Sequence, residues 1–199
     1  MRSSLAARFL LWTTLLAMPA VAHEQSGLVG GLASGLLHPL TGLDHLVAMV
    51  AVGLWGAELG MPALWLLPIL FPLVMACGGV LGVAGVPLPM PEVFVAGSGL
   101  VLGLAVALRW NPGMGWASAL VAIFAVFHGH AHGVELPRAA NAFGYGLGFV
   151  VSTGCLHLCG IGIGVLAARP GWHRVYRLSG AVIAVIGAYF LVRASGVLG

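Results

Sequence analysis

The sequence predicts an all-α integral membrane protein with six transmembrane helices after a cleavable N-terminal signal peptide. Three observations lead to this prediction. The chain of 199 residues is 60% hydrophobic, only 7% charged and free of lysine, so it cannot cover a soluble domain with polar side chains. Its apolar residues form six long runs separated by Pro, Gly and charged residues. The N-terminus has the pattern of a secretory signal.

The first 22 residues contain the three parts of a signal peptide. Arg2 and Arg8 form a basic start, residues 9–18 are apolar, and residues 20–22 read Ala-Val-Ala. This pattern predicts cleavage before His23 and a periplasmic N-terminus for the mature chain. The alternative is an uncleaved first helix, but the apolar run is short for a span of about 20 residues.

The remaining chain, residues 23–199, is predicted to be one six-helix membrane domain, because the linkers between its apolar runs are short. Residues 24–37 are expected to form a periplasmic or interfacial lead-in, since residues 27–58 are too many for one crossing. The predicted spans cover residues 38–57, 63–85, 93–108, 115–132, 141–168 and 178–194.

Arginines at the span ends predict the orientation, because cytoplasmic loops of membrane proteins carry the excess of positive charge. With the first span entering from outside, four arginines are cytoplasmic and two are external. The cytoplasmic four are Arg109, Arg169, Arg174 and Arg177, and the external two are Arg138 and Arg193. The formal charge of +3 therefore bears on topology. The sequence contains no basic patch with interleaved aromatic residues, so it does not suggest a nucleic-acid partner.

The first cluster of ionisable residues comprises His38, Asp44 and His45 in the first predicted span. An ionised Asp at the centre of a bilayer costs roughly 3 kcal/mol, so Asp44 needs a partner or a polar cavity. On an unbroken helix His38 and His45 lie within about 20° of each other, and Met49 lies one turn beyond His45. One helix face can therefore gather these side chains.

Pro39 and Gly42 permit a different geometry for the same cluster. They allow a broken helix whose freed carbonyl groups line an ion site, as in many transporters. A purely structural interpretation is also open, in which His38 caps a helix start and Asp44 only hydrogen-bonds to His45.

The second cluster is the stretch FHGHAHGVE over residues 127–135, at the end of the fourth predicted span. His128, His132 and Glu135 occupy positions i, i+4 and i+7, so they share one stripe of a helix, whereas His130 points nearly the opposite way. Imidazole and carboxylate groups at this spacing can bind one first-row metal ion. The alternative is an exposed histidine-rich helix end that binds metal only adventitiously.

Three further features are weaker metal-ligand candidates. Cys155 and Cys159 share a helix face in the fifth span, and His157 between them faces the opposite side. Buried cysteines usually act as small apolar residues, so His157 is the stronger candidate. With Cys77 also in an apolar run, no disulfide framework is expected. Cleavage before His23 would place a free amine beside an imidazole, which can chelate a divalent ion.

The two histidine clusters are expected to meet. The spans that carry them are the first of each three-span half, and halves of three spans insert with opposite topology, as in transporters with inverted repeats. If the first span begins near His38 and runs inward, Asp44 and His45 reach the same outer depth as His128 and His132.

The pattern of His38, five residues and Asp44-His45, together with Phe127-His-Gly-x-Ala-His-Gly-x-Glu135, resembles the HupE/UreJ family of nickel/cobalt permeases. The resemblance covers the signal, the six spans and the positions of both motifs. It implies a secondary transporter, not an enzyme, that imports Ni²⁺ or Co²⁺ across the inner membrane for hydrogenase or urease. It also implies no permanently bound cofactor. The family's motif positions fall on His38, Asp44, His45, His128, His132 and Glu135.

His157 resembles a histidine that relatives carry in the fifth span, whereas Cys155 and Cys159 match no family pattern. Thiolates would favour softer ions than nickel. The expected mechanism begins at an outer mouth, where a partly hydrated ion is captured by His128, His132 and Glu135. The ion is then shared with His38, Asp44 and His45, and His157 relays it inward. Two other uses of the histidines are a membrane cytochrome that binds haem and a metal-dependent hydrolase or hydroxylase.

Overall fold

The computed structural model describes residues 27–136, 141–167, 169 and 171–196. In these ranges the chain forms seven α-helices and no strand. The predicted signal peptide, His23 and Arg138 lie outside the described residues. The helices are α1 (Leu28–Thr41), α2 (Leu43–Leu59), α3 (Ala63–Val83), α4 (Pro91–Leu108), α5 (Met114–Val134), α6 (Ala142–Ala167) and α7 (His173–Ala194).

Five of these helices, α3 to α7, are long and apolar enough to cross a membrane. The pair α1 and α2 passes the same test only when taken together, and its two axes meet at 84°. Over the residues that the structure describes, the chain is therefore a multi-pass, all-helical membrane protein with five candidate spans, or six if the bent pair counts as one. The last helix begins at His173 and not at residue 178.

The first span differs most from the sequence prediction. Residues 28–37, expected to be a lead-in, belong to α1, and this helix packs along α6. Gly35 makes the packing possible, because a Cβ atom there would overlap the carbonyl group of Tyr145. His38 consequently lies on the helix before the break, and Asp44 and His45 lie on the helix after it.

The break is located at Gly42, which is extended with φ −93° and ψ 107°. Thr41 ends α1, and its Oγ1 donates to the His38 carbonyl oxygen at 2.8 Å. Pro39 lies inside α1 and has no N–H to donate to the preceding turn. Of the two geometries that the sequence leaves open for this cluster, the broken helix is therefore the one that occurs, and His38 and His45 do not lie on one continuous helix.

Glycines set the closest helix contacts and their directions. Gly148 of α6 lies against Leu32 of α1, and Gly160 of α6 lies against Val50 of α2. In both places a Cβ atom on the glycine would overlap a backbone carbonyl oxygen of the neighbouring helix. Residue numbers rise together along these contacts, so α1 and α2 both run in the same sense as α6, although their own axes meet at 84°.

The other two close pairs are α3 with α5 and α4 with α7. Gly129 of α5 lies against Met75, and Gly82 of α3 lies against His130, so α3 and α5 are parallel. Gly103 lies against Ala184 while Gly99 lies against Gly187, so α4 and α7 are antiparallel. These directions are those of six alternating crossings in which α1 and α2 form one bent span.

The helix pairs also match the symmetry of an inverted repeat. If the first three crossings are exchanged with the last three, the contact between α1/α2 and α6 becomes the contact between α5 and α3. The same exchange maps the pair of α4 and α7 onto itself. The break at Gly42 has no counterpart in α5, which is continuous over Met114–Val134.

The two ends of the bundle differ in chemistry. At one end Glu58, in the last turn of α2, forms an ion pair with Arg109, and Arg177 Nε donates to the Ala107 carbonyl oxygen at 3.0 Å. The described arginines of this end are among those predicted to be cytoplasmic. Asp44 begins α2 at the other end, about 20 Å away at 1.5 Å per residue. The histidine clusters therefore lie at the end predicted to face the periplasm.

Candidate metal centre

The first turn of α2 holds a carboxylate and an imidazole in one hydrogen-bonded unit. Asp44 Oδ1 accepts a hydrogen bond from the His45 backbone N–H at 2.9 Å, and it lies 2.8 Å from His45 Nδ1. The negative charge at a helix N-terminus is favourable there. Because the carboxylate accepts from Nδ1, the lone pair of the neutral ring is on Nε2, which is the form that binds a metal ion.

The last turns of α5 supply His128 and His132 to the same region. Gly129 and Gly133 pack so closely on α3 that a Cβ atom at either position would overlap a backbone carbonyl oxygen of that helix, and the histidines that precede them in sequence are buried. The His45 ring centroid lies 5.2 Å from that of His128 and 4.5 Å from that of His132. The two sequence motifs therefore meet inside the helix bundle.

His132 is at the centre of the cluster. Its ring contacts that of His38, with centroids 4.8 Å apart, in addition to that of His45. On its other side lies the Phe149 ring at 4.3 Å. His132 thus connects the candidate ligand of α1 with those of α2, although the break at Gly42 separates these two helices.

Glu135 and His38 form the outer edge of the cluster. Glu135 Oε2 lies 3.6 Å from His38 Nε2 and 3.9 Å from His132 Nδ1. The Glu135 side chain is 60% exposed and the His38 side chain 33%, whereas that of His132 is only 6% exposed. Exposure therefore decreases from the carboxylate at the edge to the imidazole at the centre.

The buried nitrogen atoms of this cluster lack hydrogen-bond partners among the residues that the structure describes. They are Nε2 of His45, Nε2 of His128 and both ring nitrogens of His132. A buried polar atom without a partner costs roughly 1–3 kcal/mol, so several in one place call for a ligand. Two carboxylates and several imidazoles with free nitrogens are a donor set for a divalent first-row metal ion.

His38, His132 and Glu135 each offer one ligand atom, and these three atoms lie within 4.8 Å of one another. Around a first-row ion with bonds of about 2.1 Å, opposite ligand atoms are about 4.2 Å apart. Small side-chain movements of about half an ångström therefore suffice to bring these three groups onto one ion.

Comparison with known proteins identifies the chain. Residues 11–190 match the family described as HupE / UreJ protein. The chain belongs to the HupE/UreJ family. It is 46% identical over 183 residues to Protein HupE of Rhizobium leguminosarum bv. viciae, an alignment that covers 90% of this chain and 96% of that protein. No solved structure matches the chain.

In this HupE/UreJ protein four weaker metal-ligand candidates lie apart from the cluster, namely His130, Met49, Cys155 and Cys159. His130 is buried, and its Nε2 lies 2.7 Å from the Val86 carbonyl oxygen in the loop after α3. Met49 is a fully buried part of the apolar core. Cys155 and Cys159 are exposed on the outer face of α6, so their sulfur atoms do not join the histidines.

Aromatic residues around the cluster were not predicted from the sequence of this HupE/UreJ chain. Phe149 and Tyr145 of α6 contact the His38 ring, with centroids at 6.1 Å and 5.8 Å, and Phe71 of α3 contacts His128. Phe71 lies between two prolines at positions 68 and 72, and this spacing was the only local signal that set it apart.

An apolar groove of about 660 Å³ borders the cluster of this family member between α3, α5 and α6. His132 forms part of its wall, together with Met75, Tyr145 and Phe149. The imidazole at the centre of the cluster is thus bounded by apolar groups on the side away from Glu135. Few polar atoms there compete for its nitrogen atoms.

Proposed function

We propose that this chain imports Ni²⁺, or Co²⁺, across the inner membrane to supply metalloenzymes such as hydrogenase or urease. One observation carries the proposal. His45 and His128 from two separate motifs meet at His132, and each of these rings has a buried nitrogen atom without a hydrogen-bond partner among the described residues. Family membership supports it, since the HupE/UreJ resemblance implies nickel/cobalt uptake. The mature N-terminus and the cluster would both face the periplasm.

The gradient of exposure suggests the order in which the ion meets its ligands. A hydrated ion first contacts the exposed Glu135 carboxylate and the half-exposed His38. It then binds His132 and loses water, because the surroundings of this ring are buried and apolar. His45, held by Asp44, and His128 complete the inner part of the site. Several ligand sets of moderate strength allow both capture and release.

The two other functions considered for these histidines have less support. The imidazole rings meet edge to face or tilted, at 4.5 to 5.2 Å between centroids, and a porphyrin plane does not fit between rings so arranged. A hydrolase acting on a polar substrate would need a polar groove, whereas the groove beside His132 is apolar. A hydroxylase acting on an apolar substrate is distinguished from a transporter by the Ni²⁺ accumulation assay below. A purified sample with a Soret band would instead favour the cytochrome.

Asp44→Asn should reduce cellular accumulation of radiolabelled Ni²⁺ at least about tenfold, as loss of a group that orients a metal-binding histidine commonly does. The amide keeps the size of the carboxylate but loses its charge, so His45 is no longer fixed in its metal-binding form. The double variant Cys155→Ala, Cys159→Ala is the control, because both side chains face outward. Equal accumulation by native protein and Asp44→Asn at equal expression contradicts the proposal.

Competition among metal ions should follow ligand chemistry. Cu²⁺ should displace bound Ni²⁺ from the purified protein at least as well as Co²⁺ or Zn²⁺, since imidazole ligands follow the Irving–Williams order. Mg²⁺ in large excess should displace none, because it prefers oxygen ligands. Equilibrium dialysis against mixed ions measures this order. Efficient displacement by Mg²⁺ would show that the carboxylates alone bind the ion.

A further inference from the structure

Phe71 of α3 contacts two buried imidazoles at once, and this arrangement extends the proposed function, on which the following inference rests. The Phe71 ring centroid is 5.3 Å from that of His128 and 5.5 Å from that of His157, and both contacts are edge to face. All three side chains are at most 1% exposed. His128 belongs to the cluster described above, whereas His157 lies outside that cluster and contacts the same phenyl ring.

Both imidazoles are held in the same tautomer. His128 Nδ1 lies 2.9 Å from the Phe124 carbonyl oxygen, and His157 Nδ1 lies 3.1 Å from the Pro68 carbonyl oxygen. A carbonyl oxygen only accepts hydrogen bonds, so Nδ1 of each neutral ring carries the proton and Nε2 carries the lone pair. Each Nε2 is buried and has no partner among the described residues.

The Pro68 carbonyl is available to His157 because of Pro72. In a regular helix the carbonyl of residue 68 accepts from the N–H of residue 72, but proline has no N–H to donate. His157 of α6 donates to this carbonyl instead, so a gap in the hydrogen bonding of α3 orients an imidazole of α6. Thr153, one turn before His157, adds a fully buried hydroxyl without a described partner.

His157 lies deeper in the bundle than the cluster. Its backbone packs against Gly53 of α2, two turns after His45, which is about 12 Å further along the helix. This depth is toward the middle of a hydrocarbon layer about 30 Å thick. An imidazole at this depth needs a functional or structural reason. Its hydrogen bond to the Pro68 carbonyl oxygen satisfies only one of its two nitrogen atoms.

We propose that His157, with the Thr153 hydroxyl, is a second binding site for the transported ion, and that the Phe71 ring is the gate between this inner site and the outer cluster. While the ring contacts both His128 and His157, an ion cannot pass, because an apolar constriction excludes a charged group. Rotation of the ring lets one ion contact His128 Nε2 first and His157 Nε2 afterwards. Transport is then the transfer of the ion from one imidazole to the other, and both imidazoles are in the same tautomer.

The purified full-length chain tests the inner site by its Ni²⁺ stoichiometry. The native protein should bind two Ni²⁺ ions, and His157→Gln should bind one, with the affinity of the remaining site unchanged within about twofold. Uptake of Ni²⁺ into proteoliposomes should fall at least about tenfold in this variant. Two bound ions and native uptake in His157→Gln overturn the inner site.

Efflux of Ni²⁺ from preloaded proteoliposomes tests the gate. Phe71→Leu and Phe71→Ala should still bind two ions but release Ni²⁺ about tenfold faster than native, because the apolar constriction is weakened. Phe94→Leu is the control, since Phe94 stacks on Phe127. Equal efflux from the Phe71 and Phe94 variants overturns the gate.

Both tests separate this inference from the proposed function. If the native protein binds and transports a single Ni²⁺, the inner site is wrong and the function stands. If it binds no Ni²⁺, the function fails and the inner site fails with it. Monodispersity and thermal unfolding of each variant in detergent show whether a loss reflects misfolding.

Discussion

His132→Ala should lower the affinity of the purified protein for Ni²⁺ by about 100-fold or more, whereas His130→Ala should leave it unchanged within about twofold. His132 is the imidazole that contacts both His38 and His45, so its loss separates the ligands of α1 from those of α2. Equilibrium dialysis measures both affinities, and uptake by cells should fall with binding.

The comparison of these two variants is informative because both histidines lie on α5 and are equally buried. His130 differs only in its surroundings, where its Nε2 lies next to the Val86 carbonyl oxygen. His130→Ala removes this hydrogen bond and should cost about 1 kcal/mol of stability without affecting the metal. Similar affinity losses in both variants would indicate that α5 as a whole has been disturbed and that His132 has no special role.

Gly160→Ala should destabilise the protein by about 1–3 kcal/mol or more, as insertion into a well-packed interface does. A Cβ atom at Gly160 overlaps the backbone of α2 at Val50 and Leu54, and a backbone cannot move aside as a flexible side chain can. The separation of α6 from α2 should also move His157 and lower Ni²⁺ uptake. Thermal unfolding in detergent measures the effect on stability.

Gly162→Ala is the matched control, two residues further along the same helix. Among the described residues, no heavy atom outside this stretch of α6 lies within 4 Å of a Cβ atom built at Gly162, so the substitution adds no overlap and gains up to about 1 kcal/mol of helix propensity. A rise in the unfolding temperature of Gly162→Ala beside a fall for Gly160→Ala is therefore expected. Equal effects at both positions would mean that this packing does not stabilise the fold.

Local periodicity was sufficient to predict much of the cluster. The spacing of His132 and Glu135 depends only on the turn of one helix, and Glu135 Oε2 does lie 3.9 Å from His132 Nδ1. His128, which was predicted to join these two at the outer mouth, instead contacts His45 and Phe71. Most span ends were also predictable, because prolines and glycines interrupt the apolar runs. Such features depend on short stretches of sequence and need no knowledge of the neighbouring helices.

Contacts between distant segments were not predictable in the same way. The sequence permitted both a straight and a broken first span, and only the packing of α1 against Gly144 and Gly148 of α6 decides between them. The contact of Phe71 with two imidazoles depends on where α3 lies relative to α5 and α6. No periodicity within α3 contains that information, since this helix is apolar on every side.

Under the proposed function, the extended residue at Gly42 would let this chain change its metal preference without the replacement of a candidate ligand. Two backbone angles there set the direction from α1 to α2, and hence the spacing between His38 and His45. Ni²⁺ and Co²⁺ accept the same donor atoms and differ in the geometry that they prefer. We therefore expect natural and engineered variants that discriminate between these ions to differ around residue 42, while every histidine of the cluster stays the same.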